Sequence, residues 1–574
     1  MEECERAGSA SFYFYPGSSS AGRKGLENIR RLNIGIIDLI TKGPTRALFA
    51  RIMHANFASI MPQVLGVWCE EEGHHVTFIT YTGFENLIDE LPHDVDIVFI
   101  GAFTEAAQTA YALSNLYRSR GAVTVLGGPH ARCYPQDAVR FFDYVVGFTD
   151  KKVIHEILRD CAPHRPVGRH IAARQQPAEL PGVRERWKFI EPTLKKAPIL
   201  KLVPMIGSLG CPYTCSFCID SIVPYQPLQL DVMKEDLSFL LRKFKRPLVG
   251  WHDPNFGVRF DDTIGAIEEA VPPGSIDFIA ESSLSLLSEA HVKRLKHNGF
   301  KAILPGIESW YDLGDKSRTG RITGLAKVRQ VSEQINMIMR YIPYIQTNFV
   351  LGLDSDWGPE PFELTKKFVD MTPGAFPGYS LLSAFGQAAP LNLTFQRDNR
   401  ILPFPFHFLD NNRAMNVKPK NYSWPEFYTH VIDLSKHTFS PWTIAKRLGA
   451  NSGMVPAWMN FVRAVSSEGF GRIKYNTKVL QSLENDIQFR RYFERETVEL
   501  PGFYEDQVRR DLGPLWDLLP EGALYHDPDA YLKSMDQDIR REVDTGPIEV
   551  AEENERDLVP QPVYVAQSRR TRRT

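Results

Sequence analysis

From Leu32 onward the chain alternates short apolar runs, rich in β-branched residues, with longer stretches whose apolar positions recur every three or four residues. The runs NIGIIDL (33–39), HHVTFITY (74–81), VDIVFIGAF (95–103), AVTVLGG (122–128) and DYVVGF (143–148) fit short buried strands, while ALFARIMHANFASIMPQVLGVWCEEEG (47–73) has helical periodicity. Strands and helices alternating at this spacing predict a parallel, doubly wound, Rossmann-like α/β domain over residues 31–162, closing with a helix near Val153 to Asp160. Folds of this kind place ligands beyond the carboxyl ends of their strands.

Residues 163–200 contain several prolines and two Arg-rich stretches and read as a linker that shields one edge. The rhythm then restarts. VPMIGSLG, PLVGWHD, SIDFIAES, KAILPGIES, YIQTNFVLGLD and GYSLLSA are six candidate strands between residues 203 and 384, with helical text after each of the first five. This predicts a partial (βα)6 TIM-type barrel over 201–390, with catalytic groups again at strand carboxyl ends. Beyond it, aromatic and proline-rich text leads into helices expected around 424–436, 441–448 and 455–467, giving a mostly helical C-terminal domain over 391–545. Residues 1–30, rich in Ser, Gly and charge, are expected to be a flexible lead-in, and 546–574 a charged, solvated tail.

The remaining arithmetic narrows the function. The chain has 574 residues, room for several cores, with 67 Lys plus Arg against 69 Asp plus Glu, so no overall charge points to nucleic acid. No apolar run reaches the roughly 20 residues of a membrane span, and the first residues carry early acidic groups and no signal-like apolar run. Seven cysteines, an odd number spread over a long chain, do not make a disulfide framework. A reducing, cytoplasmic location is therefore expected.

Three of those cysteines, Cys211, Cys215 and Cys218, stand in GCPYTCSFC directly after the first strand of the second unit, spaced C-x3-C-x2-C. Zinc motifs reach four ligands through paired C-x2-4-C or Cys/His sets. Soft thiolates suit iron-sulfur clusters, and three of them would leave one iron open. The spacing, the preceding strand and Phe217 before the last cysteine resemble the radical S-adenosylmethionine superfamily. The resemblance implies a 4Fe-4S cluster held by these cysteines, with S-adenosylmethionine chelating the open iron and cleaved to a 5'-deoxyadenosyl radical. It further implies that Asp253 and Asn255 of WHDPNF, Glu281 and Ser282 after the third strand, Glu308 of GIES, and Gly352 of GLDSD face the cofactor; turn and strand-capping roles account for the same residue types. No G-G-E segment follows the cluster motif, so the group holding the methionine amine is unassigned.

The first unit, with VDIVFIGAF, Thr104 and Glu105 after its third strand and the V-x-G-G-P-H loop containing Gly127 and Gly128, resembles the cobalamin-binding domain found ahead of many such barrels. A degenerate domain that binds nothing is the alternative. Asp38 is followed by LIT rather than the D-x-H-x-x-G that would supply a cobalt ligand, and GFTDK puts Phe148 and Thr149 where relatives have G-E-G-E. His130 is expected to be a hydrogen-bonding turn residue. Cys4, Cys69, Cys133 and Cys161 read as scattered hydrophobes. Together the resemblances imply a cobalamin-dependent methyltransferase acting on an unactivated carbon or phosphorus of a small-molecule substrate, served by an external one-electron reductant such as a flavodoxin or ferredoxin, with no nucleic acid partner. The alternatives are radical oxidation, cyclisation or rearrangement without methyl transfer, and a non-catalytic sensor. The aromatic residues Phe404, Phe406, His407, Trp424, Tyr428 and Trp442 either close over a substrate or pack a core.

Overall fold

The computed structural model describes residues 30–165, 167–311, 322–451 and 453–532. The lead-in expected over 1–30 (apart from Arg30), Cys4 and the tail expected over 546–574 lie outside the described residues.

The first unit is a six-stranded parallel sheet, β1 (Asn33–Leu39), β2 (His75–Tyr81), β3 (Ile97–Ala102), β4 (Val123–Gly127), β5 (Tyr144–Val146) and β6 (Arg169–Ile171), in the order β2-β1-β3-β4-β5-β6. Its central strands are apolar on both faces, as helices on either side require: Ile34, Ile36 and Ile97 pack against the helix Ile60–Glu71, while Ile37, Val98 and Ile100 join the main core with the helix Ala107–Ser119.

The second unit is also parallel. β7 (Leu202–Met205), β10 (Leu248–Trp251), β11 (Asp277–Ser283), β12 (Phe300–Glu308), β13 (Tyr344–Leu351) and β14 (Phe376–Leu381) run in chain order across the sheet, and a small antiparallel pair, β8 (Ser208–Leu209) with β9 (Gln226–Pro227), stands beyond β7. β7 and β14 do not pair with each other, so the barrel is open and has two bare edges. At the β7 edge, Leu202 N–H donates to Asn56 Oδ1 at 3.0 Å and Arg186 Nη2 donates to the Pro204 carbonyl at 3.5 Å. At the β14 edge, Leu381 N–H donates to the Asn411 carbonyl at 2.6 Å and Arg472 donates to the Tyr379 carbonyl.

The segment expected to be a linker over 163–200 is more than a connector. It supplies β6 and the helix Val183–Lys196, whose Val183, Phe189, Ile190 and Leu194 are buried. The text VRERWKFIEPTL carries the helical period that makes this possible. Arg186 on this helix is buried and donates to Gln63 Oε1 at 2.6 Å, to the Pro181 carbonyl at 3.0 Å and to Pro204, so it ties the first domain to the barrel's edge strand. Burial lowers its pKa to about 10.

The C-terminal helices Trp424–Thr438, Pro441–Ala450 and Met454–Val465 match the expected positions within a few residues. Phe404, Phe406, His407, Trp424 and Tyr428 are all buried, which favours the core-packing reading for them, whereas Trp442 is exposed. Among the described residues, no helix is long and apolar enough to cross a membrane.

Replacing Arg186 with Met leaves the Gln63 and Pro204 oxygens buried without their donor. The expected loss is about 2–4 kcal/mol, read as a lower thermal unfolding midpoint; an unchanged midpoint would show that the edge does not need this clamp.

Candidate active site

The three cysteines lie in a loop closed at its base by the β8–β9 pair, which sets Ser208 against Pro227 and Leu209 against Gln226. Gly210 starts the loop at φ 68°, and a Cβ there would stand 2.3 Å from the Pro224 carbonyl oxygen, so the turn admits only glycine. Within it, Cys218 N–H donates to the Cys215 carbonyl at 2.9 Å, Ser221 N–H to the Cys218 carbonyl at 3.3 Å, and Asp220 N–H to Cys218 Sγ at 3.4 Å. Cys211, Cys215 and Cys218 are half-buried, and Phe217 packs its ring against the core. Among the described residues no three His, Cys, Asp or Glu side chains gather around one point as a single metal ion requires. A polynuclear cluster gives each thiolate its own iron and does not ask for that convergence. A half-buried loop with three soft donors and an amide N–H on one sulfur fits such a group.

Asp253 is buried and accepts from Gly207 N–H at 2.9 Å and from the Ser208 hydroxyl at 2.6 Å, so it anchors the head of the cysteine loop. Its burial raises the carboxyl pKa to about 6, against these hydrogen bonds, which lower it. Asn255 Oδ1 accepts from Ser283 N–H at 2.8 Å, and its Nδ2, fully buried, has no protein partner. Ser282 donates to the Phe256 carbonyl at 2.9 Å. Tyr213 from the cysteine loop and Ser285 share a 2.7 Å hydrogen bond, and Ser285 meets Ser283 at 3.0 Å. A polar ring thus joins the loop to the ends of β10 and β11. Glu281, by contrast, is exposed at the end of β11.

Glu308 ends β12 with φ 65°, a left-handed conformation unusual for glutamate that costs on the order of 1–3 kcal/mol. The pairing with β13 shifts register at this point, and the side chain folds back so that a Cβ on Gly306 would lie 2.3 Å from Glu308 Oε1. Gly306 is therefore what lets this carboxylate sit at the strand end. A Cβ on Gly352 would meet Met415 and Phe427 at 3.0 Å, so this turn approaches the C-terminal region closely.

In the first domain, Gly128 has φ 90° and presses on the backbone of Ala102, whereas a Cβ on Gly127 would meet nothing within 4 Å. One glycine closes the packing and the other leaves room. Thr104 is buried, and Glu105 lies among Lys42, Asp410 and Arg413; burial is the main cause of its raised pKa. Lys42 pairs with Asp410 at 2.9 Å and donates to the His407 carbonyl at 2.8 Å, so the C-terminal region covers this part of the sheet's carboxyl edge. Sequence reasoning missed Asp410 and Arg413 because they lie about 300 residues from Glu105. His130 is fully buried, 2.6 Å from the Tyr111 hydroxyl and against the rings of Tyr134 and Phe406, and burial drives its pKa to about 3. Asp38 accepts from Ser59 N–H at 2.8 Å.

The two carboxyl ends face each other. From the segment after β4, Arg132 pairs with Asp220 of the cysteine loop at 3.2 Å, and Tyr134 donates to the Ala384 carbonyl at 2.8 Å beyond β14. Gly386 makes the contact possible, since a Cβ there would lie 1.8 Å from the Cys133 carbonyl oxygen. Beside the head of the cysteine loop, a cavity of about 480 Å³ opens between Trp68 and Lys152 of the first domain, Arg186, and Met205, Ile206 and Met233 of the barrel, within the size range of small-molecule sites.

No protein-family model matches the chain. Among curated proteins it is similar to the bacteriochlorophyllide d C-12(1)-methyltransferase of Chlorobaculum tepidum, 22% identical over 398 residues, covering 67% of this chain and 83% of that protein. It is also similar to the bacteriochlorophyllide d C-8(2)-methyltransferase of the same organism, 24% identical over 258 residues, covering 41% of this chain and 54% of that protein. Among solved structures, the cobalamin-dependent S-adenosylmethionine radical enzyme OxsB superposes with a TM-score of 0.53 at 12% identity, over 91% of this chain and 82% of that one. The radical S-adenosylmethionine methyltransferase TsrM from Kitasatospora setae, solved with cobalamin and a 4Fe-4S cluster, superposes with a TM-score of 0.50 at 12% identity, over 84% of this chain and 99% of that one. At such identities the likeness establishes the fold.

Asp253 gives a pH test. Its pKa is raised above the unfolded value of 3.8, so its contribution to stability is full below about 4 and is lost as pH rises through about 6. Asp253→Asn lacks that titration, and its thermal midpoint is expected to gain on the wild type between about pH 4 and 6. Parallel midpoints over that range would show that Asp253 is not the buried acid described here.

Proposed function

We propose that this chain, which has the architecture of the cobalamin-dependent radical S-adenosylmethionine enzymes, is itself such an enzyme and methylates an unactivated carbon or phosphorus centre of a small-molecule metabolite. The observation that carries the reading is the apposition of the two carboxyl ends: the loop with Cys211, Cys215 and Cys218 at the barrel mouth meets the segment after β4 through Arg132 and Asp220. A cluster on one side and a corrinoid on the other would face a shared space.

Bound there, the cluster with S-adenosylmethionine supplies a carbon-centred radical and the corrinoid a methyl group, chemistry that side-chain acids and bases lack. The chain's own residues hold and orient. The three cysteines supply thiolates, and Asp253 fixes the loop through Gly207 and Ser208. Glu308, held at the strand end in a strained conformation, would bind polar groups of S-adenosylmethionine, with the exposed Glu281 of β11 as a second carboxylate. Asn255 and Ser282 are committed through one atom each to the backbone, leaving Asn255 Nδ2 as a buried donor for the same ligand. On the first sheet, Gly127 leaves the room a corrin or its nucleotide tail needs, and Thr104 and Glu105 lie at the crevice. With Asp38 hydrogen-bonded to Ser59 and no histidine following it, that motif supplies no cobalt ligand. Both similar proteins from Chlorobaculum tepidum are methyltransferases, which supports methyl transfer over the other radical reactions. The enzyme would work in a reducing, cytoplasmic setting with an external one-electron reductant such as a flavodoxin or ferredoxin, and without nucleic acid.

The test is anaerobic reconstitution with iron, sulfide and cobalamin, followed by turnover of cell extract with methyl-deuterated S-adenosylmethionine. Methylation yields S-adenosylhomocysteine and 5'-deoxyadenosine together with a metabolite that gains the label. 5'-Deoxyadenosine alone would mean radical chemistry without methyl transfer, and neither product would mean a binding protein. Glu308→Gln is expected to weaken S-adenosylmethionine binding about tenfold, the scale of one charge-assisted hydrogen bond, with iron content unchanged. Unaltered affinity in equilibrium dialysis would remove Glu308 from the site.

A further inference from the structure

We propose that Arg132, in the first domain, is a positioning residue that sets the reduction potential of the cluster held by the barrel cysteines; this rests on the reading that the three cysteines hold one. A chain of three contacts leads from the first domain to a thiolate. Arg132 Nη2 pairs with Asp220 Oδ1 at 3.2 Å, and Asp220 donates its backbone N–H to Cys218 Sγ at 3.4 Å. On its other side, the Arg132 guanidinium lies 5.6 Å from the centre of the Phe148 ring, in the segment after β5.

Each link has a physical consequence. Reducing a cluster adds negative charge that is shared with the thiolate sulfurs, so an N–H donated to Cys218 Sγ stabilises the reduced form more than the oxidised one and raises the potential. The Asp220 amide keeps that geometry only while its residue is held in place. The turn hydrogen bonds at Cys218 and Ser221 hold the backbone, and Val223 N–H donates to the Asp220 carbonyl at 3.1 Å, but the side chain is held by Arg132. The pair is partly buried, with side-chain exposures of 17% for Arg132 and 26% for Asp220, so solvent screens it only in part. Arg132 also neutralises the Asp220 carboxylate beside the cysteine loop. Without it, that negative charge opposes the incoming electron and moves the potential downward.

Phe148 explains why the guanidinium is available. A ring face attracts a cation without neutralising it, whereas an acidic residue at 148, the type expected from the family resemblance, would compete with Asp220 for the same guanidinium. The contact therefore runs across the domain boundary rather than staying within the first domain. A cluster presented without the docked first domain is, on this view, harder to reduce.

Potentiometric titration of the full-length, anaerobically reconstituted protein with dithionite, followed by the electron paramagnetic resonance signal of the reduced cluster, tests this. Arg132→Met is expected to load the same iron but to show about a tenfold smaller ratio of reduced to oxidised cluster at a given poise, about 59 mV for a one-electron couple. Arg132→Lys, which keeps the charge, is expected to recover most of the shift, a rescue that a packing role would not produce. If Arg132→Met loads too little iron, Arg132→Gln takes its place under the same criterion. A variant with full iron and the wild-type potential overturns the proposal. A wild type that assembles no cluster overturns the reading beneath it instead.

Discussion

An open parallel sheet has to do something about its two bare edges. In this protein β7 and β14 each present unpaired backbone groups, and neither can reach the other. Asn56 and Arg186 satisfy one edge, and Asn411 and Arg472 the other. The first pair comes from the doubly wound domain and its connecting helix, the second from the C-terminal region. Pairing the barrel's edges is therefore the same event as assembling the three parts of the chain, and the placement of everything at the barrel mouth depends on it.

The assembly brings together what the proposed chemistry needs. Because Arg186 seats the first domain beside β7, the strand that leads into the cysteine loop, the segment after β4 arrives over that loop and over the end of β14. Contacts there are close enough that Gly386 cannot carry a side chain. On the far side, Lys42 pairs with Asp410 and donates to the His407 carbonyl, which binds the C-terminal region to the first domain. The strain at Glu308 and the buried carboxyl of Asp253 mark the opposite wall, where folding stability has been given up for a defined arrangement of polar groups.

Much of this was legible in the chain, for reasons specific to each part. Alternating runs such as NIGIIDL and VDIVFIGAF identify parallel strands because burial on both faces demands unbroken apolar text, and C-x3-C-x2-C in GCPYTCSFC stands out as three gathered soft donors because its spacing is local. Prolines and arginines give 163–200 the composition of a linker, although VRERWKFIEPTL keeps a helical period and the helix Val183–Lys196 accommodates Pro192. The resemblance implies that Gly352 faces the cofactor, and its neighbours Met415 and Phe427 come from more than sixty residues downstream. Asp253 and Asn255 were read from their position at a strand end, and their hydrogen bonds to the cysteine loop and to Ser283 became visible only when the strands stood side by side.

By itself the sequence determined the class of each unit, the order of the strands' recurrence and the identity of the three thiolates, because periodicity, turn chemistry and ligand spacing act over a few residues. The tertiary structure alone decided which carboxyl end faces which, that Arg132 reaches Asp220, that Glu105 lies half-buried among Lys42 and charges from the C-terminal region, and that a buried arginine closes each barrel edge. Those facts follow from long-range packing and the desolvation it imposes, and no local pattern of residues encodes the distance between groups that meet only after the chain has folded.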